Sequence, residues 1–262
     1  MQTYEPPPQD PQPARETRLE IPQVDPILTY IIIGLLVAIH VYVQTLSQPE
    51  LMSFYTTYGN FSQRVIDGEY YRLFTSMFLH AGLTHLAFNC LALYIFGRNI
   101  EGVFGHVPFL VIYLLGGLVG SVASLVFTQG NSIGASGAVF AVFGALVAYF
   151  YRNKAVYGQS ANEQLRQLAV LAGINLVIGF LSNIPGSPAR IDNAAHIGGA
   201  VGGLALAWFL TPLFRVRMQI DGLSMRPQLI DQRTTAPQII APVVVGLILL
   251  GVTAFVVSQR GG

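Results

Sequence analysis

The chain has 262 residues, of which 52% are hydrophobic and only 10% are charged. Soluble domains carry roughly 25% charged residues, so this composition excludes an ordinary water-soluble globular protein. The formal net charge of +1 gives no reason to expect a nucleic acid or an acidic partner, and the single cysteine excludes a disulfide within the chain.

The first 25 residues contain six prolines together with Gln, Asp, Glu and Arg. Such a segment cannot bury enough apolar surface to fold alone, so we expect residues 1–25 to be a disordered, Pro-rich cytoplasmic tail. The segment lacks the apolar core of a signal peptide, and its acidic residues argue against a mitochondrial transit peptide. The first apolar helix is therefore expected to be an uncleaved anchor.

Beyond the tail, long segments of the chain carry no charge. A membrane-spanning helix needs about 20 consecutive apolar residues, and six charge-free stretches are long enough: 26–49, 73–97, 102–151, 167–189, 193–214 and 234–259. The third stretch is interrupted by Gln129-Gly130-Asn131-Ser132, a run that favours a reversal of the chain. The sequence therefore predicts seven helices, over 26–47, 83–104, 107–128, 136–151, 166–183, 194–213 and 238–258.

The positive charges predict the orientation of these helices, because Arg and Lys favour the cytoplasmic ends of spans. With the N-terminus inside, the inner segments carry ten Arg and Lys residues and the outer segments carry four. We therefore expect a cytoplasmic N-terminus, an extracytoplasmic C-terminus, and a cytoplasmic linker over residues 214–237. The outer connection over residues 48–82 is rich in aromatic side chains, which favour the membrane interface, so we expect it to lie partly embedded.

Polar side chains are costly within membrane spans, and four of those in the predicted spans stand out: His85, Asn89, Ser136 and His196. Taken alone, each has an ordinary structural explanation, since a serine can bond its own backbone, a histidine can be packed or solvated, and an asparagine can join two helices. The second, fourth and sixth predicted helices all run from outside to inside, however, so all four side chains lie in the outer part of the bundle. Their shared depth favours a functional site.

The fourth predicted helix is short, because about 16 residues span only roughly 24 Å of a hydrocarbon core about 30 Å thick. It should therefore begin below the membrane surface, and the loop from Gly130 to Gly134 must descend to meet it. Ser136, at that start, lies beside backbone N–H groups that have no partner within the helix and that suit a developing oxyanion.

His196 begins the sixth predicted helix at a similar depth. Serine needs a neighbouring base to take its proton, and neutral imidazole is the side chain best matched to that role near pH 7. Every Asp lies outside the predicted spans, and Glu101 falls near the inner end of the second one, so no carboxylate is placed to orient the imidazole. The sequence therefore predicts a Ser136–His196 dyad. His85 and Asn89 share one face of the second helix and can donate hydrogen bonds, and His80 just ahead of it is a third polar contributor.

At these residues the sequence resembles the rhomboid family of intramembrane serine proteases. The motifs of that family are matched in order, by His80, His85 and Asn89, by Gly97 and Glu101, by Gly134-Ala135-Ser136-Gly137, and by Ala195, His196, Gly199 and Gly203. The resemblance covers roughly residues 70–207. It implies an all-α polytopic membrane protein with a rhomboid-like six-helix catalytic domain, here residues 26–213, and an additional C-terminal seventh transmembrane helix at 238–258.

The resemblance also implies a role for each matched residue. Ser136 would be the nucleophile and His196 its base, supported at the oxyanion and around the site by His85, Asn89, His80, Gly134 and Phe140. Structural roles would fall to Glu101 and Arg98, which we expect to bond inner loop backbone, and to Gly199 and Gly203. The implied reaction is hydrolysis of a peptide bond near the outer end of a substrate transmembrane helix, with no cofactor and no metal.

Two positions depart from the family pattern. The Trp-Arg-like pair that ends the outer loop is Tyr71-Arg72 here, so the arginine is kept and the aromatic residue is changed. Phe140 stands where many members carry a tyrosine packed on the base histidine. We expect its ring to stack on His196, whereas any role of the missing hydroxyl is lost.

Other functions fit the sequence less well. A catalytically inactive relative that binds transmembrane clients usually lacks the serine or the histidine, and both are present. A channel or transporter would predict acidic residues at mid-membrane, an aspartyl intramembrane protease needs paired membrane Asp residues, and a zinc type needs His-Glu-x-x-His. The expected partners are single-span transmembrane protein substrates and the lipid bilayer, with no nucleic acid and no obligate protein partner. The expected location is a bacterial plasma membrane.

Overall fold

A computed structural model describes residues 21–128, 131–184, 190–221 and 224–261. Residues 1–20 of the predicted tail lie outside the described residues, as do Gln129 and Gly130 of the predicted turn. Twelve α-helices occur in the described part: α1 Ile27–Gln44, α2 Gln48–Tyr58, α3 Ser62–Ile66, α4 Arg72–Thr75, α5 Leu83–Ala92, α6 Arg98–Phe104, α7 His106–Phe127, α8 Ser136–Arg152, α9 Lys154–Tyr157, α10 Gln159–Leu181, α11 Asn193–Leu210 and α12 Thr235–Arg260.

Each predicted helix has a counterpart in the structure. A π-helical segment, Leu93–Gly97, joins α5 to α6, so the second predicted helix runs unbroken from residue 83 to 104. Most ends fall within about three residues of the prediction, but α10 begins at Gln159 instead of residue 166. The polar start of α10 carries no apolar signal, although its residues are compatible with a helix.

The membrane-spanning character of the chain follows from the length and hydropathy of these helices. Among the described residues, five helices are long and apolar enough to cross a membrane: α1, α7, α10, α11 and α12. The pair Arg72–Phe78 and Leu83–Phe104, bent by 93°, can form a sixth span, while α8 is a shorter apolar helix. The all-α polytopic fold class is confirmed, and the count of seven spans stays a prediction.

Two small antiparallel strand pairs accompany the helices. Strand β1 (Asn60–Phe61) of the outer loop pairs with β2 (Asn131–Ser132), just before α8. Strands β3 (Phe214–Asp221) and β4 (Ser224–Asp231) pair from Phe214 with Asp231 to Asp221 with Ser224. The segment predicted as a linker over 214–237 therefore contains a strand pair, and the alternation of apolar with polar residues from Phe214 to Ile220 is the period-two signal that indicates it.

The centre of the bundle is formed by α7, α8 and α11, whose backbones lie in contact. A methyl group placed on Gly199 or Gly203 of α11 would overlap the carbonyl oxygen of Gly137 or Ala141 in α8. A methyl group on Gly120 of α7 would lie 2.7 Å from the carbonyl oxygen of Ala195. Only glycine permits so close an approach of helix backbones.

The outer loop is organised around Arg72, whose side chain is buried. Its guanidinium donates to the carbonyl oxygens of Thr56 (2.6 Å) and Gly59 (3.1 Å) and to the carboxylate of Glu69 (2.7 Å). The hydroxyl of Tyr71 donates to the same carboxylate at 2.9 Å. Arg72 therefore joins the parts of the loop that contain Thr56, Gly59 and Glu69, and Tyr71 bonds the same carboxylate.

At the inner end of the bundle, the buried carboxylate of Glu101 caps the start of α1. It accepts hydrogen bonds from the backbone N–H groups of Leu28 (2.8 Å) and Thr29 (2.7 Å), and it also bonds His106 Nδ1 (2.6 Å). The expected contact of Glu101 with backbone is present, at a helix start instead of a loop. The Arg98 guanidinium lies over the ring of Tyr94, 4.6 Å from the ring centroid, and its expected bond to loop backbone stays a prediction.

Candidate active site

Ser136 is the first residue of α8, as its sequence position predicts. The preceding loop turns at Gly134, which has a φ of +133° that favours glycine. The Gly134 N–H donates to the carbonyl oxygen of Ser76 at 3.0 Å. This bond ties the loop to the outer connection, and the turn delivers Ser136 to a helix start with its backbone N–H free of intrahelical bonds.

His196 lies in the first turn of α11, where it is buried. Its ring stacks on Phe140 of α8, with centroids 4.2 Å apart and planes inclined by 14°. The stacking expected from the sequence is therefore present. Phe140 lies one turn after Ser136 in α8. Gly199 of α11 contacts the carbonyl of Gly137 in α8, and this contact holds the two helices together next to the site.

In the described residues, no hydrogen bond joins Ser136 Oγ to the His196 ring, and Nδ1 of His196 is buried without a partner. Catalytic hydrogen bonds are often long in structures without substrate and shorten when substrate binds. The site brings the serine and the histidine to facing helix starts. Within the described part of the chain, Nδ1 of the imidazole has no hydrogen-bond partner.

The polar residues of α5 lie beside the same loop. A methyl group on Gly134 would lie only 2.7 Å from the ring of His85, so this ring lies directly against the turn before Ser136. His80 packs edge-on against His85, with centroids 5.0 Å apart, and its Nε2 accepts a long hydrogen bond of 3.5 Å from the Ala135 N–H. His85 and His80 therefore both contact the loop that carries Ser136.

Asn89 is buried on α5, one turn beyond His85. Its side-chain nitrogen donates to the His85 carbonyl oxygen at 2.9 Å, which is a bond within its own helix. A side-chain amide has two N–H groups, so the second one is available to another acceptor. This arrangement is compatible both with a structural role and with a contribution to an oxyanion hole.

Asp192 is a residue that the sequence analysis missed. It is the N-cap of α11, four residues before His196, and its carboxylate accepts a hydrogen bond from the Ala195 N–H at 3.0 Å. Aspartate just before an apolar helix is a known N-cap signal, which could have identified it. Among the described residues its carboxylate bonds Ala195, Ser124 and Thr128 and not the imidazole, and the dyad stays a prediction.

Chemically, this arrangement combines a serine hydroxyl, an imidazole and several hydrogen-bond donors near the starts of α8 and α11. Such a set of groups suits acyl transfer, in which the nucleophile attacks a carbonyl and donors stabilise the resulting oxyanion. No group of three His, Cys, Asp or Glu side chains that could hold a metal ion occurs in the part of the chain that the structure describes.

Known proteins resemble this chain over its central part. Residues 67–213 match the family model of the Rhomboid domain. The chain is 41% identical over 143 residues to Rhomboid protease GluP of Bacillus subtilis (strain 168), covering 55% of this chain and 26% of the relative. It is 39% identical over 150 residues to RHOMBOID-like protein 6, mitochondrial, of Arabidopsis thaliana, covering 56% of this chain and 46% of the relative.

A third relative, RHOMBOID-like protein 1 of Arabidopsis thaliana, is 35% identical over 159 residues, which cover 60% of this chain and 38% of the relative. The chain thus matches less than half the length of each of these proteins. The family match includes every residue of the candidate site and more than half of the chain. Together with its apolar helices, this match makes the protein an integral multi-pass membrane protein that belongs to the rhomboid family.

Proposed function

We propose that this protein is an intramembrane serine endopeptidase that hydrolyses peptide bonds in or near the outer end of substrate transmembrane helices. The observation that carries the proposal is the pairing of Ser136, at the start of α8, with His196, whose ring stacks on Phe140 one turn further along α8. The similarity to Rhomboid protease GluP supports the same class of reaction.

In the proposed mechanism, Ser136 Oγ attacks the carbonyl carbon of the scissile bond while the His196 imidazole takes its proton. The Ser136 N–H, the His85 ring and the Asn89 amide donate hydrogen bonds to the oxyanion. His196 then protonates the leaving amine. A water molecule, activated by the same imidazole, hydrolyses the acyl-enzyme and restores the serine.

The proposed substrates are single-span membrane proteins in the same bilayer, with no nucleic acid and no obligate protein partner. The excess of Arg and Lys at one set of helix ends supports a cytoplasmic N-terminus and an extracytoplasmic C-terminus. The proposed location is a bacterial plasma membrane. The active site then faces the outer leaflet, since Ser136 and His196 begin helices that run inward.

The experiment that tests the proposal is cleavage of a model single-span substrate by the purified protein in liposomes, together with labelling by a fluorophosphonate. Ser136→Ala and His196→Ala should each lower cleavage by about 10³-fold or more, because nucleophile and base act as a unit. Ser258→Ala is a matched control, since its hydroxyl donates to the Phe255 carbonyl of its own helix near the outer end of α12.

The second candidate is a catalytically inactive family member that binds transmembrane clients. It has the same fold and predicts that Ser136→Ala and the wild type bind substrate equally and that neither cleaves it. Cleavage by the wild type that is lost in Ser136→Ala removes this candidate. Near-wild-type cleavage by Ser136→Ala would instead remove the proposed mechanism.

A further inference from the structure

The carboxylate of Asp192 joins the start of α11 to the end of α7. One oxygen, Oδ1, accepts hydrogen bonds from the Ala195 N–H and from the Thr128 hydroxyl, each at 3.0 Å. The other, Oδ2, accepts a short hydrogen bond from the Ser124 hydroxyl. Three donors from two helix ends therefore converge on one carboxylate.

The contacts of Asp192 include the turn that carries His196. The Asp192 carbonyl oxygen accepts the His196 N–H at 3.1 Å, so backbone and side chain of one residue hold consecutive N–H groups of this turn. Of the two donors from the end of α7, Ser124 is buried, which restricts its movement, and Thr128 is exposed. Hydrogen bonds to an ionised carboxylate are roughly twice as strong as those between neutral groups.

The imidazole itself has little else to orient it. Its Nδ1 is buried and has no hydrogen-bond partner among the residues that the structure describes, and its ring stacks on Phe140. Stacking fixes the plane of the ring but allows it to slide over its neighbour. The height of His196 relative to Ser136 must therefore come from the position of the helix start.

We infer that Asp192 is a positioning residue for His196: by tying the first turn of α11 to Ser124 and Thr128 of α7, it fixes the base at the correct height beside Ser136. This inference rests on the proposed protease function. A base must lie within about 2.6–3.2 Å of the proton that it takes, and a displacement of about 1 Å can cost about 10²-fold in rate.

Three variants distinguish the contributions of the N-cap, the carboxylate charge and the hydrogen bonds to α7. Asp192→Ala removes the N-cap and both hydroxyl contacts. Asp192→Asn keeps an oxygen at the N-cap, where Asn and Asp are about equally effective, and removes the charge. The double variant Ser124→Ala/Thr128→Val keeps the N-cap and removes only the tie to α7. Ser258→Ala is the control, as it removes a hydroxyl from the outer end of another helix.

Each variant is measured for single-turnover cleavage, KM, rate of fluorophosphonate labelling, and hydrogen exchange of the Ala195 amide. Asp192→Ala should lower turnover and labelling by about 10- to 100-fold with KM changed by less than about twofold, because the base moves while the substrate surface stays. The Ala195 amide should exchange faster. The double variant should also lose turnover but keep Ala195 protected.

Asp192→Asn should recover turnover to within about fivefold of the wild type, and Ser258→Ala should match the wild type. The inference is overturned if folded Asp192→Ala turns over normally, or if the double variant turns over normally. Should Asp192→Ala not fold, normal turnover of the double variant is the result that overturns the inference. Failure of the proposed function looks different, since Ser136→Ala would then label like the wild type.

Discussion

Asn89 has two possible roles, because its amide already donates to the His85 carbonyl oxygen within its own helix. If its second N–H also donates to the oxyanion, Asn89→Ala should lower turnover by about 10²–10³-fold with a much smaller change in KM, since the charge develops only in the transition state. Slow labelling of Ser136 by fluorophosphonate should persist. Single-turnover rate and melting temperature are measured on the same detergent-solubilised protein.

Asn99 provides a matched control for this prediction. Its side-chain nitrogen donates to the Ile95 carbonyl oxygen at 2.9 Å, the same bond one turn back along the helix, but near the inner end of the bundle. Asn99→Ala should therefore lower the melting temperature only by as much as such a bond contributes, and it should leave turnover unchanged. An Asn89→Ala protein that melts early and yet cleaves normally while folded would exclude Asn89 from the catalytic residues.

Glu69 should make the stability of the outer loop depend on pH. The Tyr71 hydroxyl and the Arg72 guanidinium hold the pKa of this carboxyl below its ordinary value of 4.5. Ionised Glu69 therefore stabilises the fold fully above about pH 4.5, and this contribution is lost as the pH falls through the lower pKa of the folded state. Glu69→Gln should lower the melting temperature at pH 7, and its difference from the wild type should shrink in acid.

The comparison is a set of melting curves between pH 7 and pH 3 for Glu69→Gln and for Glu163→Gln, which removes an exposed carboxylate on α10. Glu163→Gln should follow the wild type throughout. A melting-temperature difference for Glu69→Gln that stays constant down to pH 3 would show that the carboxylate charge is not what holds Arg72 in the loop.

Among the helices, the contact between α8 and α11 is the one on which the site depends. A methyl group on Gly199 would overlap the Gly137 carbonyl oxygen, so Gly199→Ala must push the two helices apart. Overpacking of this kind typically costs about 1–3 kcal/mol. It should also separate Ser136 from His196, so turnover should fall by about 10-fold or more even in the folded protein.

Gly246→Ala is the matched control within a helix, because nothing lies within 4 Å of the methyl group that it adds to α12. It should leave turnover unchanged and keep or raise the melting temperature, since alanine is the better helix former. Melting temperature and single-turnover rate are measured for both variants. Equal melting temperatures and equal single-turnover rates for Gly199→Ala and Gly246→Ala would contradict the backbone contact between α8 and α11.

The arrangement of the chain across the membrane sets where a substrate can be cut. Ser136 and His196 begin helices that are proposed to run inward, and an intact substrate helix hides its carbonyl groups in hydrogen bonds. We expect cleavage near the outer end of the substrate span, at a small residue such as Ala or Gly with helix-weakening residues nearby. Mass spectrometry of both products locates the cut, and a site at the cytoplasmic end would contradict the proposed orientation.

Features that depend on residues close together in the chain were predictable. The limits of most helices follow from runs of apolar residues between charges, and the placement of Ser136 at the start of a short helix follows from the turn signals before it. The alternation of apolar with polar residues along Phe214–Ile220 was also a local signal, and it indicated a strand. The strand was not predicted because the rest of the sequence indicated membrane helices, with no sheet that it could join.

The sequence alone thus determined the membrane class, the helices and the residue types of the site, because hydropathy and turn propensity act over a few residues. Only the tertiary structure decided which groups meet. The Asp192–Ser124 bond joins residues 68 apart, and the Glu101–Thr29 bond joins residues 72 apart. Neither pairing follows from local pattern, since each arises only when separate helices have packed. For the same reason the stack of Phe140 on His196, which the family resemblance suggested, took its geometry from the close approach of α8 and α11.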